Sequence, residues 1–268
     1  MRRVRVLIGV ALALGGLPAG SPADAAFPPP PEIVVNEILA VDASGRYIVV
    51  NDEAREDVRI DRLTGTVQPL DRVLTVSADA GWAVTVAGTP GEVGTVRWVN
   101  LATGSEAPIP FAPPSGTFVY PWTLSGDGQT LIAGLSTDAT RVVGDVTPNV
   151  PGTYAVRRDG SVRVSPIVGA VPSSVSANGR WVLLYRDLGP TMAGPDEYYR
   201  WDTVTGGVSF IVRTMNSTRT PLDIGDDGRF LEREFVTGDG NAGGDAQWVV
   251  RHPDGSTVMI EGPGGEGG

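Results

Sequence analysis

Two glutamates near the C-terminus are the residues whose type and spacing could carry out acid–base chemistry. Glu232 and Glu234 stand two residues apart in an alternating segment, so on a β-strand their side chains share one face. Together with Asp202 they could supply the two carboxyl groups that glycoside hydrolysis requires. A solvent-facing edge pair, with arginines such as Arg229 offsetting the repulsion, fits the same pattern. A carbohydrate-active hydrolase is therefore the alternative to a protein without catalytic residues.

The missing residue types exclude several other reaction classes. The chain has no cysteine and no lysine, and His252 is its one histidine. Without lysine there is no P-loop and no Schiff-base chemistry, and without cysteine there is no thiol nucleophile and no cysteine-ligated metal. A serine–histidine–aspartate triad would need His252, which stands in a segment typical of a surface turn, His252–Gly255. We assign no catalytic residue and no cofactor.

A glycine- and aspartate-rich segment, Gly238–Asp245, offers oxygen ligands with partly suitable spacing for calcium. Counted from Asp239, the fifth position of an EF-hand loop would be Gly243 and the twelfth would be Val250. Neither residue has a side chain that can bind the ion as that loop requires. We therefore expect a plain loop here and no metal site.

The elements that must position these residues are set by an internal repeat. A small or acidic residue opens each copy, a turn dipeptide follows, and a bulky residue stands five positions after the start, aromatic in four copies. The starts are 35, 48, 51 and 49 residues apart. The five copies are Asp42–Tyr47, Ser77–Trp82, Ser125–Thr130, Ser176–Trp181 and Gly225–Phe230.

A second recurring segment follows each copy. Alternating apolar residues run into Thr-Gly or Asp-Gly, the signature of a hairpin in which glycine adopts a positive φ. These segments are Val58–Gly65, Arg97–Gly104, Tyr154–Gly160, Tyr199–Gly206 and Trp248–Gly255. A short final strand is predicted after each of them, at Val67–Leu70, Ala107–Phe111, Val162–Ile167, Val208–Val212 and Thr257–Ile260.

Each unit therefore contains four antiparallel strands, a to d, which is the composition of a propeller blade. The predicted fold is all-β, a β-propeller of five four-stranded blades. A six-bladed or incomplete ring is the alternative. A β-sandwich is disfavoured because the turn segment and the hairpin segment recur five times in the same order, which a sandwich does not require. We predict the propeller at residues 32–261, after a proline-rich linker at 27–31 and before a glycine-rich tail at 262–268.

The pattern Ser-x-Asp-Gly-x-aromatic, followed by a strand and a Thr-Gly hairpin, resembles the WD40-like repeat of TolB-type propellers. The likeness covers about residues 33–261, and Trp201-Asp202 also resembles the Trp-Asp dipeptide of true WD40 blades, although it occurs once only. It implies the fold and says little about function, because propellers host scaffolds, lectins and hydrolases alike.

Strand direction predicts which face of the ring recognises a partner. The a–b and c–d turns are tight and emerge on one face, whereas the longer b–c and d–a connections emerge on the other. Binding residues concentrate on such loops. The candidate ligand-binding residues on this loop face are Arg141, Asp187, Glu197, Tyr198, Arg219 and Asp239.

Residues 1–26 have the features of a secretory signal peptide. A basic segment with Arg2, Arg3 and Arg5 precedes the apolar run Val6–Leu17 and an Ala-x-Ala cleavage pattern, Ala23–Ala25. The apolar run is too short to span a bilayer. We expect a bacterial protein that is secreted or periplasmic, or held in the cell envelope, without membrane insertion after cleavage; an uncut N-terminal anchor is the alternative.

The formal net charge of −10 predicts repulsion from nucleic acid and from anionic membranes. The expected protein is a monomeric binding module that recognises a protein, peptide or glycan of the envelope or exterior. The aromatic residues of the repeat, Tyr47, Trp82, Trp181 and Phe230, are expected to wedge between neighbouring blades rather than to form a ligand cage.

Overall fold

The computed structural model describes residues 35–42, 44–52, 57–87, 95–137, 150–188, 195–214, 219–235 and 246–260. The predicted signal peptide, linker and tail, and the candidate calcium loop at Gly238–Asp245, lie outside these ranges. Within these ranges twenty strands fold into five four-stranded antiparallel sheets, so the prediction of five blades is confirmed.

Chain order and strand order coincide in every blade. Blade 1 contains β1 (Val35–Val41), β2 (Tyr47–Asp52), β3 (Asp57–Asp61) and β4 (Thr66–Leu70). Blade 2 contains β5 (Arg72–Val76), β6 (Trp82–Ala87), β7 (Thr95–Asn100) and β8 (Glu106–Pro108). Blade 3 contains β9 (Phe118–Leu124), β10 (Thr130–Ser136), β11 (Val150–Arg157) and β12 (Val162–Val164).

Blades 4 and 5 follow the same plan. Blade 4 contains β13 (Val171–Val175), β14 (Trp181–Asp187), β15 (Asp196–Asp202) and β16 (Val208–Thr214). Blade 5 contains β17 (Arg219–Ile224), β18 (Phe230–Phe235), β19 (Ala246–Arg251) and β20 (Thr257–Ile260). Contacts between the first strands, β1 with β5, β5 with β9, β9 with β13 and β13 with β17, bring successive blades together.

Two outer strands are shorter than the sequence predicts. Strand β8 ends at Pro108 instead of Phe111, and β12 ends at Val164 instead of Ile167. Pro110 and Pro166 follow these ends, and a proline has no N–H to donate to a neighbouring strand. Strand pairing therefore ends before these prolines, although the apolar pattern in the sequence continues beyond them.

The core lies between the blades, and β10 shows how one strand serves two interfaces. Leu131 packs in a cluster with Val84 and Trp98 of blade 2, whereas Ile132 packs with Val182 and Leu184 of blade 4. Successive side chains of a strand point to opposite faces, so both faces of a central blade are apolar. The whole of β10 is accordingly buried.

The a–b turn repeats one set of hydrogen bonds. In blade 3 the Ser125 hydroxyl donates to Asp127 Oδ1 at 2.6 Å, and the Thr130 N–H donates to Ser125 Oγ at 2.9 Å. Gly128 adopts a φ of +66° and its N–H donates to the Ser125 carbonyl. Glycine tolerates this left-handed conformation without a steric penalty, which explains why the turn recurs in the sequence.

Ala80 occupies the glycine position of this turn in blade 2. Its φ of +48° is the one positive value at a non-glycine residue among those the structure describes, whereas Gly45, Gly128, Gly179 and Gly228 stand there in the other blades. We expect Ala80→Gly to raise the free energy of unfolding by about 0.5–1 kcal/mol, because it removes left-handed strain that exceeds the entropy glycine adds to the unfolded chain.

Chemical denaturation measures this change, with Ala102→Gly as the matched control. Ala102 lies in the c–d turn of the same blade with a negative φ, so that substitution should destabilise by up to about 1 kcal/mol. Equal destabilisation by both substitutions would contradict the strain at Ala80.

In blades 3, 4 and 5 the glycine of the a–b turn receives a side chain from the preceding blade. A Cβ added at Gly128 would lie 2.4 Å from the Trp82 side chain, and one added at Gly228 would lie 3.0 Å from the Trp181 ring. At Gly179 the neighbour is Thr130, whose Oγ1 would be 2.3 Å away. Trp82 and Trp181 thus wedge between blades, as the sequence predicts, and glycine is required because no other residue leaves room for them.

Hydrogen bonds also join these turns from blade to blade. The Asp79 N–H donates to the Gly126 carbonyl at 3.3 Å, and the Asp127 N–H donates to the Ala177 carbonyl at 2.8 Å. The Asn178 N–H donates to Asp226 Oδ1 at 2.7 Å. Hydrogen bonds donated by the backbone N–H groups of these turns therefore join blades 2 to 5 on the tight-turn face.

Candidate functional site

Among the residues that the structure describes, a dense group of charged side chains on the loop face lies where β14 ends and β15 begins. Antiparallel pairing places Arg186 opposite Glu197 and Asp187 opposite Asp196. Because side chains alternate along a strand, these two pairs face opposite sides of blade 4. The end of one blade therefore presents two distinct polar clusters.

The first cluster is built around Glu197, which is buried. One carboxylate oxygen, Oε2, accepts hydrogen bonds from the guanidinium of Arg186, with Nε at 3.1 Å, and from the Tyr199 hydroxyl. The other oxygen, Oε1, accepts from the guanidinium of Arg213 on β16, with Nε at 3.0 Å. Arg186 Nη2 also donates to the Tyr199 hydroxyl at 2.9 Å.

These contacts fix the protonation states of the cluster. Hydrogen bonds from Tyr199, Arg213 and Arg186 outweigh the burial of Glu197 and lower its pKa to about 2. Burial, together with the carboxylate beside it, raises the pKa of Tyr199, which stays a neutral donor at physiological pH. Two guanidinium groups and one carboxylate leave this cluster with one net positive charge.

The second cluster combines two tyrosines with two aspartates. The rings of Tyr185 and Tyr198 lie 5.5 Å apart between centroids. Burial, with the nearby carboxylates of Asp196 and Asp187, raises the pKa of Tyr185 to about 12. Burial also raises the pKa of Asp196, and the charge of Asp187 adds to that effect. This side of blade 4 is therefore negative.

The structure brings three of the six predicted binding residues to this end of blade 4. Asp187 is exposed, whereas Glu197 and Tyr198 are buried and support their neighbours. Arg219 begins β17, and Arg141 and Asp239 lie outside the described residues. Sequence reasoning overlooked Arg186, Tyr199 and Arg213. Together with Glu197 they occupy positions on one side of three strand segments, and this pattern is a signal that could have indicated them.

The carboxylates considered for acid–base chemistry have structural partners. Asp202 accepts from Arg180 Nη2 at 2.9 Å and from the Val204 N–H at 2.9 Å, so it caps its own c–d turn. Glu232 is 0% exposed and paired with Arg251, whose Nη2 lies 3.9 Å from Glu234. The interpretation of both glutamates as a solvent-facing pair is wrong for Glu232, because the fold encloses its side chain.

The remaining residues singled out by the sequence add no chemistry. His252 lies in the c–d turn of blade 5, where its carbonyl accepts from the Gly255 N–H at 3.0 Å. Within the described ranges no three histidine, cysteine, aspartate or glutamate side chains are grouped as a metal site would require. No helix in that part of the chain is long and apolar enough to cross a membrane.

Comparison with known proteins identifies the fold. No protein-family model matches the chain, and a search of curated proteins finds no match. The β-propeller domain of the Trilobed protease from Pyrococcus furiosus is similar over 85% of this chain and 71% of that domain, with 11% identity and a TM-score of 0.51. At that identity the likeness establishes the β-propeller architecture and nothing finer.

Solved TolB structures are also among the similar proteins. The putative TolB from Agrobacterium tumefaciens has 13% identity and a TM-score of 0.45, over 85% of this chain and 81% of that one. TolB from Acinetobacter baumannii has 16% identity and a TM-score of 0.43 over 86% of this chain. The chain spans 55% of the length of the latter protein.

Proposed function

We propose that this chain is an exported, non-catalytic β-propeller module that binds a protein, peptide or glycan of the cell envelope or exterior through its loop face. The observation that carries the proposal is the polar end of blade 4. There a buried carboxylate holds Arg186 and Arg213 in place, and a negative cluster lies on the other side of the same strands. Side chains held by such networks are pre-organised for recognition.

The opposite face of the ring is less suited to a ligand. Its a–b turns use their backbone N–H groups and side chains to join one blade to the next, as Asp127 and Asn178 do. The loop face carries the longer connections and the charged clusters instead. This division supports recognition on the loop face, because binding residues concentrate on connections held by a rigid scaffold.

Catalysis has less support. Asp202 and Glu232, two of the carboxylates that could serve a hydrolase, are each engaged by an arginine. Glycoside hydrolysis needs two carboxyl groups in an open cleft beside the bond that breaks. The fold itself does not decide the matter, since propellers occur in TolB and in proteases alike.

Two matched substitutions test the proposed face. Leu188 is exposed beside the polar end of blade 4, and Leu63 is exposed in a c–d turn on the opposite face. We expect Leu188→Lys to reduce retention of envelope-fraction proteins or of array-bound glycans at least about tenfold, because it places a charge in the contact area. Leu63→Lys should leave retention unchanged, and both variants should keep the melting temperature of the parent.

Equal retention by the two variants would refute recognition through the loop face. So would a loss of retention caused by Leu63→Lys alone. Retention is compared only between proteins with the same melting temperature, so a folding defect cannot imitate a binding defect.

A further inference from the structure

The outermost strand of blade 4 differs from its counterparts in length. Strand β16 has seven residues, whereas the outer strands of the other blades have five, three, three and four. It is the last strand of its sheet, so within the described part of the chain its outward backbone edge has no strand partner. A long outer edge of this kind is a template for pairing with another chain.

Two exposed side chains stand along this edge on one face of the sheet. Phe210 is 57% exposed and meets Tyr199 edge to face, with 5.6 Å between ring centroids. The Arg213 side chain is 58% exposed while its guanidinium holds Glu197. Both residues pair with alternate positions of β15, so they lie on the same face.

A β-bulge sets the distance between these two side chains. The register shifts between Tyr198 and Tyr199. The three-residue interval from Phe210 to Arg213 on β16 therefore lies opposite the two-residue interval from Tyr199 to Glu197 on β15. Phe210 and Arg213 are therefore spaced like residues two apart on a regular strand. A strand added beside β16 would meet them with two of its own alternating side chains.

The charge of the site indicates that one of the two side chains on an added strand is acidic. Arg186, Arg213 and Glu197 together carry one positive charge on a chain whose net charge is −10. Arg213 directs Nε and Nη2 to Glu197, and a guanidinium has five N–H donors, so donors remain on its exposed edge. A carboxylate is the group that such an edge binds best.

We propose that the outer edge of β16 binds an extended peptide segment as a fifth strand of blade 4. The segment places an apolar side chain on Phe210 and, two residues away, an aspartate or glutamate on Arg213. This inference rests on the proposed function and names the class of partner. The open backbone edge favours a peptide over a glycan, because the N–H and C=O groups on either side of the bulge can pair with those of another peptide backbone.

Arrays of seven-residue peptides test the proposal directly. One library fixes leucine and glutamate two positions apart and varies the other positions; the paired library has glutamine in place of glutamate. We expect the glutamate library to yield binders and the glutamine library to yield at least about tenfold weaker ones, since a charge-assisted hydrogen bond is lost. N-methylation of alternate backbone amides in the best binder should abolish binding.

Protein variants locate the contact. Arg213→Gln should weaken the best glutamate peptide about tenfold and leave its glutamine counterpart unchanged, and Phe210→Ser should weaken both. Arg97→Gln is the matched control, because Arg97 is an exposed arginine paired with Glu106 beside the outer strand of blade 2. It should bind as the parent does.

Three results would overturn the inference: no binder in the glutamate library, equal binding of the N-methylated peptide, or binding that is indifferent to Arg213→Gln. Binding of an oligouronate that depends on Arg213, with no peptide bound, would assign the site to a glycan and also overturn it. In each case retention that still depends on Leu188 would leave the loop-face function standing. If the peptide bound as expected but retention did not depend on Leu188, the loop-face function would be refuted instead.

Discussion

Trp181→Ala is expected to lower the free energy of unfolding by about 3 kcal/mol, near the lower end for the loss of a packed aromatic side chain because the ring is only partly buried. The ring fills the space above Gly228 of the next blade and packs beside Leu183 and Phe230. Its removal opens a cavity between blades 4 and 5. Denaturant unfolding, followed by tyrosine and tryptophan fluorescence, measures the loss.

A second substitution separates packing between blades from other effects of Trp181. A methyl group added at Gly228 meets the indole at 3.0 Å, so Gly228→Ala should destabilise the parent more than it destabilises Trp181→Ala. Phe210→Ala is the control on the same blade, because that ring is exposed, and should change stability by less than about 1 kcal/mol. Additive effects at Trp181 and Gly228 would contradict a wedge at this interface.

Arg251→Met is expected to lower the free energy of unfolding by about 3–5 kcal/mol. Glu232 is fully enclosed and Arg251 is its ion-pair partner, so the substitution leaves a buried carboxylate without its guanidinium. Breaking a buried pair by removing one partner is strongly destabilising, since the buried charge loses the compensation that this partner supplies. Methionine keeps much of the apolar stem of arginine, so the change reports mainly on the charge.

Two further variants make this prediction decisive. Arg97→Met breaks an exposed pair with Glu106 and should change stability by at most about 1 kcal/mol. Glu232→Gln combined with Arg251→Met removes the buried charge and should recover more than half of the loss. If Arg251→Met behaves like Arg97→Met, the pair does not stabilise blade 5 as the geometry indicates.

The blades could be predicted from the sequence because the turn that defines them is local. The hydrogen bonds of Ser125, Asp127 and Gly128 lie within six residues, so the residue types that make them recur visibly. The ends of β8 and β12 could be mispredicted because a single proline ends strand pairing even where the apolar pattern continues.

The burial of Glu232 could not be predicted, since its enclosure and its pairing with Arg251 depend on how distant strands meet. The candidate site was predicted only in outline for the same reason. Position on the loop face indicated Glu197 and Asp187, yet the network around Glu197 joins residues that are 11 and 16 positions apart in the chain. Strand register and the bulge in β16 bring Arg186 and Arg213 to one carboxylate, and neither follows from a local motif.

The hydrogen bonds that join the a–b turns have a consequence for how the ring opens. Blades of a repeat architecture can unfold one at a time, with free energies below that of the whole domain. The amides of Asp79, Asp127 and Asn178 each donate to the following blade, so we expect blades 2 to 5 to open together. In blade 1 the Ser44 amide bonds to Asp42 of its own turn instead. We therefore expect the amide protons of blade 1 to exchange with solvent first.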